Sequence, residues 1–227
     1  MTTSARPDPD EIYALTFDCY GTLIDWQSGV RAAAEQAASL HGADLARLVR
    51  DRERIERQLQ RGPYRRYGEV LAESLILAAR EQERVVPSAE ARAFADTMSS
   101  WPPFAESAPV LRRLAEKYQL AILSNVETRV LEASVRALEA PFEELITPEM
   151  LSSYKPERAH FDAALARLGL PKERMLHVAC SLYHDIRPAS ALGWWTAWVN
   201  RESEVAPGVA PSWIVPDLAS LAHELGC

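Results

Sequence analysis

Residues 15–23, Leu-Thr-Phe-Asp-Cys-Tyr-Gly-Thr-Leu, decide the fold. An apolar, strand-favouring run from Ile12 to Phe17 stops at Asp18, and Gly21 follows three residues later. This pattern predicts a buried strand that carries one carboxylate at its C-terminal end and then turns sharply. In open α/β sheets, ligands bind beyond that end of the strands. Asp18 is therefore a candidate nucleophile or metal ligand, or else an acid that only caps the turn.

The C-terminal half of the chain alternates strands and helices. Beyond a linker at Trp101–Phe104, short apolar runs predict strands, and helical spacing of apolar residues predicts the segments between them. The predicted strands cover residues 120–123, 144–147, 175–180, 195–199 and 213–215. Alternation of this kind predicts an α/β fold, with a mostly parallel, doubly wound sheet and helices on both faces.

Residues 26–100 have a different pattern, since they contain helical spacing and no strand of their own. Helices are predicted over residues 30–40, 44–60, 64–83 and 87–99, with Asp25 or Ser28 as the first cap and Gly62-Pro63 as a break. We therefore expect a helical domain at 26–100, inserted into a core domain made of residues 1–25 and 101–227.

Composition excludes several classes of protein. The 227 residues are 48% hydrophobic and 25% charged, and the net charge of −7 disfavours a nucleic-acid partner. Three cysteines, Cys19, Cys180 and Cys227, form neither a disulfide framework nor a zinc motif and suit a reducing cytoplasm. No apolar run approaches the ~20 residues that span a bilayer. Met1–Pro7 lacks an apolar core, so we expect a disordered tail rather than a signal peptide, and no membrane partner.

Four polar clusters follow predicted strands. They are Asp18, Ser124-Asn125, Lys155 within Ser-Tyr-Lys-Pro, and Asp185 within Ser-Leu-Tyr-His-Asp. In this order and spacing they resemble the four motifs of the haloacid dehalogenase superfamily over nearly the whole chain. Phe-Asp-Cys-Tyr-Gly-Thr-Leu resembles more narrowly the first motif of the L-2-haloacid dehalogenases. The resemblance implies a Rossmann-like core, a helical cap over the active site, and a small carboxylate substrate. It also implies that no cofactor is needed, and it leaves a homodimer open.

Roles for the catalytic residues follow from the resemblance and from their chemistry. The carboxylate of Asp18 is the predicted nucleophile, which displaces a leaving group from carbon and becomes an ester. Lys155 keeps it ionised and stabilises developing negative charge. Asp185 positions or activates the water that hydrolyses the ester, or caps the following helix. Thr22 donates a hydrogen bond to Asp18, or only closes the turn.

Further residues are predicted to contact substrate. Ser124 and Asn125 hydrogen-bond the substrate carboxylate or orient Asp18, and a helix N-cap is compatible with both roles. A cap arginine should clamp the carboxylate, because a planar guanidinium binds it bidentately. Of five arginines in the second predicted helix we choose Arg54. The remaining predicted substrate contacts are Tyr20, Ser181 and Tyr183.

Three positions depart from the family patterns. Most of the superfamily are phosphatases with a second Asp where Tyr20 stands, and a phenol of pKa ~10 is a poor acid for the leaving alcohol. L-2-haloacid dehalogenases carry an Asn at the position of Leu182 and a Tyr at that of Phe161. The sequence around Tyr183 is similar to that of azetidine-2-carboxylate hydrolases, whose leaving group is an amine.

The sequence therefore predicts a cytoplasmic hydrolase that cleaves a carbon–halide or other carbon–heteroatom bond at C2 of a small carboxylate. The intermediate is an aspartyl ester on Asp18, and no metal takes part. One alternative is ring opening of an azetidine-type substrate. A second is a Mg²⁺-dependent phosphatase in which Asp18, a carbonyl near residue 20 and Asp185 hold the ion. A third is a binding module that kept the fold without catalysis.

Overall fold

A computed structural model of the chain describes residues 6–205 and 207–227. Most of the predicted N-terminal tail, residues 1–5, lies outside the described residues, whereas Arg6 forms an ion pair with Glu224 at 2.7 Å. The chain divides into two compact units. The first unit contains the residues up to Asp25 together with Pro103–Cys227, and the second unit is Trp26–Pro102.

A parallel sheet forms the centre of the first unit. In the described part of the chain it has six strands in the order β3-β2-β1-β4-β5-β6, and every neighbouring pair is parallel. The strands are β1 (Ala14–Phe17), β2 (Gln119–Leu123), β3 (Glu144–Ile146), β4 (Met175–Ala179), β5 (Trp195–Val199) and β6 (Trp213–Val215). The predicted α/β fold is confirmed. All four residues of β1 are buried, as expected for a central strand with helices on both faces.

The described residues of the second unit form helices joined by turns and loops, without a strand. Its helices are α1 (Trp26–Gln36), α2 (Leu45–Leu59), α3 (Tyr67–Arg80) and α4 (Ser88–Asp96), with 3-10 turns at Ala38–Leu40 and Thr97–Ser100. Asp44 caps α2, because its Oδ1 accepts a hydrogen bond from the backbone N–H of Arg47 at 3.0 Å.

Helix α1 starts four residues before the predicted start at Val30. Ser28 lies inside the helix and is therefore not its cap. Gly29 allows the Trp101 ring to pack closely on the first turn of α1, because a Cβ at this position would come within 2.3 Å of the ring. Trp101, which the sequence placed in a linker, is buried on α1.

Helices α5–α10 belong to the first unit. They are α5 (Ser107–Ala115), α6 (Thr128–Leu138), α7 (Pro148–Leu151), α8 (Ala159–Leu168), α9 (Arg187–Ala191) and α10 (Leu218–Glu224). A π-helical turn at Leu182–Ile186 precedes α9, where the sequence predicted only a helical segment between the strands at 175–180 and 195–199. The short helix α7 was not predicted. Among the described residues, no helix combines the length and apolar character that a bilayer crossing requires.

Candidate active site

Three charged side chains predicted as catalytic meet beyond the C-terminal ends of the strands. Lys155 Nζ donates to Asp18 Oδ1 at 3.0 Å, to Asp185 Oδ1 at 2.6 Å and to the carbonyl oxygen of Leu123 at 2.6 Å. An ammonium has three hydrogens, so all of its donors are used. The side chains of Lys155 and Asp185 are 1% and 0% exposed, whereas that of Asp18 is 12% exposed. Asp18 is therefore the most accessible member of the group.

The turn after β1 holds both carboxylate oxygens of Asp18. The backbone N–H of Asp18 donates to Val178 O at 3.0 Å and extends the pairing with β4. Gly21 then turns the chain with a φ of 95°, a backbone conformation that glycine adopts without strain. Thr22 Oγ1 donates to Asp18 Oδ2 at 2.9 Å and accepts from the backbone N–H of Cys180 at 2.9 Å. Asp18 thus has side-chain partners on both oxygens and does more than close a turn.

The backbone of Lys155 is fixed by Asn125. Asn125 Oδ1 accepts from the Lys155 backbone N–H at 2.8 Å, and its Nδ2 donates to the Lys155 carbonyl oxygen at 3.0 Å. The residue before α6 is Glu127, whose own side chain makes no capping hydrogen bond, and the N–H of Thr128 donates to Glu149 Oε2 at 3.3 Å. Ser124 and Asn125 therefore do not act as an N-cap. The side chain of Ser124 is buried, and its backbone N–H donates to Ile146 O at 3.0 Å.

The π-helical turn delivers Asp185 to the site. Ser181 caps this turn, because its Oγ accepts from the backbone N–H of His184 at 3.0 Å. The Ser181 carbonyl oxygen accepts from the N–H groups of Asp185 and Ile186, at 3.3 and 3.1 Å. The alternative that Asp185 is an N-cap is wrong, since Ser181 caps the turn and the carboxylate of Asp185 contacts side chains. Single π-helical turns often occur at functional sites.

His177 was missed by the sequence analysis. It lies on β4 with no exposed surface, and its Nε2 is 3.1 Å from Asp185 Oδ1. On the other side of the ring, Nδ1 is 2.9 Å from Thr16 Oγ1. Asp185 Oδ1 therefore has two partners, Lys155 and His177, whereas its buried Oδ2 has none among the described residues. The feature of the sequence that could have identified it is a single histidine within the otherwise apolar strand β4.

The two carboxylates that share the charge of Lys155 have pKa values shifted in opposite directions. Burial raises the pKa of Asp18; attraction to Lys155 opposes this only in part, and the charge of Asp185 adds to it. Burial would also raise the pKa of Asp185, but Lys155 and a hydrogen bond from His177 hold it well below its usual range. For Lys155, burial would lower the pKa, but the attraction of Asp18 and Asp185 outweighs it and raises the pKa. Lys155 and Asp185 are thus a stable ion pair at neutral pH, and Asp18 is the more basic carboxylate.

Tyr20 and Tyr183 have contacts of their own. The hydroxyl of Tyr20 forms a hydrogen bond of 2.7 Å with Ser134 Oγ on α6, and burial raises the pKa of this phenol. The ring of Tyr183 packs edge-on against His184, with centroids 4.8 Å apart. Contact of either tyrosine with a substrate stays a prediction, and so does that of Ser181.

Arg54 lies on α2 in the second unit and is exposed. Its Nη2 donates to both carboxylate oxygens of Glu81 at 2.7 Å, and it lies 3.6 Å from Asp51 Oδ1. Arg52, by contrast, is buried, forms an ion pair with Glu56 and lies over the ring of Trp26. The role of Arg54 in carboxylate binding stays a prediction.

Two thiols flank the site without forming a disulfide. Cys19 and Cys180 are free, and burial raises the pKa of each thiol. Over residues 6–205 and 207–227, no three His, Cys, Asp or Glu side chains are grouped as metal ligands.

The family model and the similar sequences both identify hydrolases of the dehalogenase type. The model of the haloacid dehalogenase-like hydrolase family matches residues 12–193. Haloacetate dehalogenase H-2 of Moraxella sp. (strain B) is 28% identical over 220 residues, which cover 94% of this chain and 97% of that protein. An (S)-2-haloacid dehalogenase of Pseudomonas fluorescens is 28% identical over 221 residues, with 94% and 96% covered.

Solved structures are similar over nearly the whole fold. A crystal structure of an L-2-haloacid dehalogenase has a TM-score of 0.85 at 25% identity and covers 95% of this chain and 99% of that one. The L-2-haloacid dehalogenase from Xanthobacter autotrophicus, with chloropropionic acid covalently bound, has a TM-score of 0.83 at 20% identity. It covers 95% of this chain and 98% of that one. The resemblance drawn from the four motifs is confirmed.

Proposed function

The chain belongs to the haloacid dehalogenase-like hydrolase family, and we propose that it hydrolyses the carbon–halogen bond at C2 of a small 2-haloalkanoate through an ester on Asp18. Two relatives that match over more than nine-tenths of the chain are dehalogenases of haloacetate and of (S)-2-haloacids. A carboxylate nucleophile divides one difficult displacement into two easier steps.

In the first step, a carboxylate oxygen of Asp18 attacks C2 of the substrate. A carbon–oxygen bond forms, the carbon–halogen bond breaks, and halide leaves with the bonding electrons. Thr22 and Lys155 hold the two oxygens at 2.9 and 3.0 Å, so the nucleophile is oriented before substrate arrives. Attack from the side opposite the halide inverts the configuration at C2.

In the second step, water attacks the carbonyl carbon of the Asp18 ester. Asp185 Oδ2 accepts a proton from this water, because it is the carboxylate oxygen that neither Lys155 nor His177 occupies. The bond between the acyl carbon and the product oxygen then breaks, and the product alkoxide takes up the proton. The products are a 2-hydroxy acid and the regenerated carboxylate, which now carries one oxygen from water.

The observation that carries this proposal is the environment of Asp18. It is the least buried member of the charged group, both its oxygens are held, and burial raises its pKa. A phosphatase of this family would need an acid for the leaving alcohol two residues later. That position is Tyr20, and its hydroxyl is bonded to Ser134.

We propose that no metal or cofactor takes part, and that the protein acts in the cytoplasm. The ammonium of Lys155 already supplies a positive charge to both carboxylates, at 3.0 and 2.6 Å. Halide release should therefore be unchanged by EDTA. Release of p-nitrophenol from p-nitrophenyl phosphate that disappears with EDTA would instead favour the phosphatase.

Single turnover in H₂¹⁸O tests the ester. With enzyme in excess, the label should enter the carboxylate of Asp18, and the first 2-hydroxy acid released should be unlabelled. Mass spectrometry of the peptide that contains Asp18 reads this directly. Label in the product alone would mean direct attack of water on C2 and would overturn the ester.

A substrate panel decides the leaving group. We expect the (S)-enantiomer of 2-chloropropionate to release chloride and to give the hydroxy acid of opposite configuration. Azetidine-2-carboxylate is the second substrate in the panel, since opening its ring displaces an amine from the same carbon, C2. Turnover of azetidine-2-carboxylate without turnover of either 2-chloropropionate enantiomer would reassign the substrate and keep the ester.

A further inference from the structure

A buried hydrogen-bonded chain lies directly behind the catalytic carboxylates. It runs from Thr16 on β1 to His177 on β4, then to Asp185 and Lys155. Thr16 and His177 are paired in the sheet register, so the two strands hold them side by side. The side chains of His177 and Asp185 are 0% exposed.

The partners of the His177 ring define its donor and acceptor. Ionised Asp185 can only accept, so the ring nitrogen Nε2, 3.1 Å away, carries the proton that is donated to Oδ1. In the neutral ring Nδ1 then accepts, and the nearest donor is the hydroxyl of Thr16 at 2.9 Å. Asp185 thus selects this tautomer, and the hydroxyl of Thr16 complements it by donating to Nδ1.

We propose that His177, held by Thr16, is a positioning residue that fixes Asp185 so that its Oδ2 stays free for the hydrolytic water. Lys155 alone gives Asp185 one contact, about which the carboxylate can rotate. A second donor on the same oxygen removes that freedom, and Oδ2 is left without a partner among the described residues. The inference rests on the proposed two-step reaction and assigns His177 to the second step.

Loss of His177 should slow only one of the two steps of the reaction. Displacement of halide depends on Asp18, whose side-chain hydrogen bonds come from Lys155 and Thr22 rather than His177. Hydrolysis of the ester depends on the orientation of Asp185, which His177 does contact. A histidine that only fills the core beside Phe161, with ring centroids 5.3 Å apart, would affect both steps through the stability of the fold.

The test compares four variants of the full chain by rapid quench with (S)-2-chloropropionate. In His177→Leu, the rate of ester hydrolysis should fall about 10- to 100-fold, as expected for loss of a hydrogen bond to a charged group. Chloride release in the first turnover should stay within about threefold of wild type, because Asp18 keeps its own partners. Mass spectrometry should then show the esterified Asp18 peptide accumulating.

Two conservative variants and one control complete the design. His177→Gln keeps an N–H donor and should restore part of the hydrolysis rate, whereas Thr16→Val keeps the shape and should give a smaller loss than His177→Leu. The control is His160→Leu, since His160 is equally buried and bonds Ser124 O at 3.2 Å rather than Asp185. It should lower the melting temperature without changing the ratio of the two rates.

Each outcome decides. An unchanged ratio of the two rates in the His177 variants, or the same ratio change in His160→Leu, overturns the inference and leaves the proposed function standing. If wild type releases no halide, the proposed function and the inference fail together. If His177→Leu does not fold, His177→Gln and Thr16→Val still report the ratio.

Discussion

Replacing Lys155 with methionine tests the electrostatic centre of the site. The substitution keeps most of the side-chain volume and removes the ammonium that bonds Asp18, Asp185 and the Leu123 carbonyl. Two buried carboxylates then face each other without a counter-charge. Removing one partner of a buried ion pair costs about 3–5 kcal/mol. We expect a loss of this size in the free energy of unfolding at pH 7.

The loss should shrink as pH falls, and the sign follows from the carboxylates. The folded-state pKa of Asp185 is depressed, so its stabilising contribution is present above its unfolded pKa of ~3.9 and disappears as pH falls through the folded value. Without Lys155 that contribution is lost, and protonation of one acid at low pH removes the uncompensated charge. Urea unfolding of Lys155→Met at pH 5 and pH 8 should therefore show a smaller deficit at pH 5.

Activity should fall as well, for a reason separate from the loss of stability. Asp18 already has a raised pKa, so it is the carboxylate that takes up the proton when Lys155 is removed. A neutral acid is not a nucleophile, and loss of one preorganised charge donor typically costs about 10²–10³ in rate. First-turnover halide release measures this. Full release at wild-type rate with an unchanged acid limb of the pH profile would refute the reasoning.

Lys117→Met is the matched control. Lys117 also forms an ion pair, at 2.8 Å to Asp10, but the two side chains are 34% and 82% exposed. Exposed pairs contribute ~0–1 kcal/mol. The control should therefore change stability little and halide release not at all.

Three other outcomes are expected. Because burial raises the pKa of Asp18, kcat/KM for halide release should decline on the acid side at a pH above ~3.9, and a limb at or below that value would contradict it. Asp217→Ala should lower stability by about 1 kcal/mol at unchanged activity, since Asp217 Oδ1 caps α10 through the N–H of Ser220 at 2.7 Å, and equilibrium unfolding measures the loss. Arg54→Ala should raise KM for 2-chloropropionate with kcat little changed if Arg54 binds the carboxylate. An unchanged KM would remove Arg54 from the site and leave it as the partner of Glu81.

Local patterns predicted most of the fold. The bounds of β5 match the strand predicted at residues 195–199, because a continuous apolar run is a property of neighbouring residues. The turn at Leu182–Ile186 was not predicted. A π-helical turn has no residue preference of its own, and here Ser181 and the packing of Ile186 define it.

The sequence could predict which residues meet at the site where the topology of the parallel sheet brings them together. Parallel strands end at one edge, so Asp18, Asn125, Lys155 and Asp185 could be expected to meet there. What each side chain bonds was not predictable. Asn125 was assigned to substrate or to Asp18, yet it holds the backbone of Lys155, 30 residues away. His177 reads as a core residue until the partner of its Nε2 is known.

Asp18 and Asp185 have different roles because they share the ammonium of Lys155 unequally. Lys155 Nζ is 2.6 Å from Asp185 and 3.0 Å from Asp18, and the second side-chain donor is His177 for Asp185 and the hydroxyl of Thr22 for Asp18. The pKa values of the two acids are therefore driven apart, downward for Asp185 and upward for Asp18. The more basic carboxylate is the better nucleophile toward carbon, and its conversion to an ester removes one of two negative charges. Lys155 and Asp185 then form a balanced pair, so the second step begins with Asp185 ionised and able to accept a proton from water.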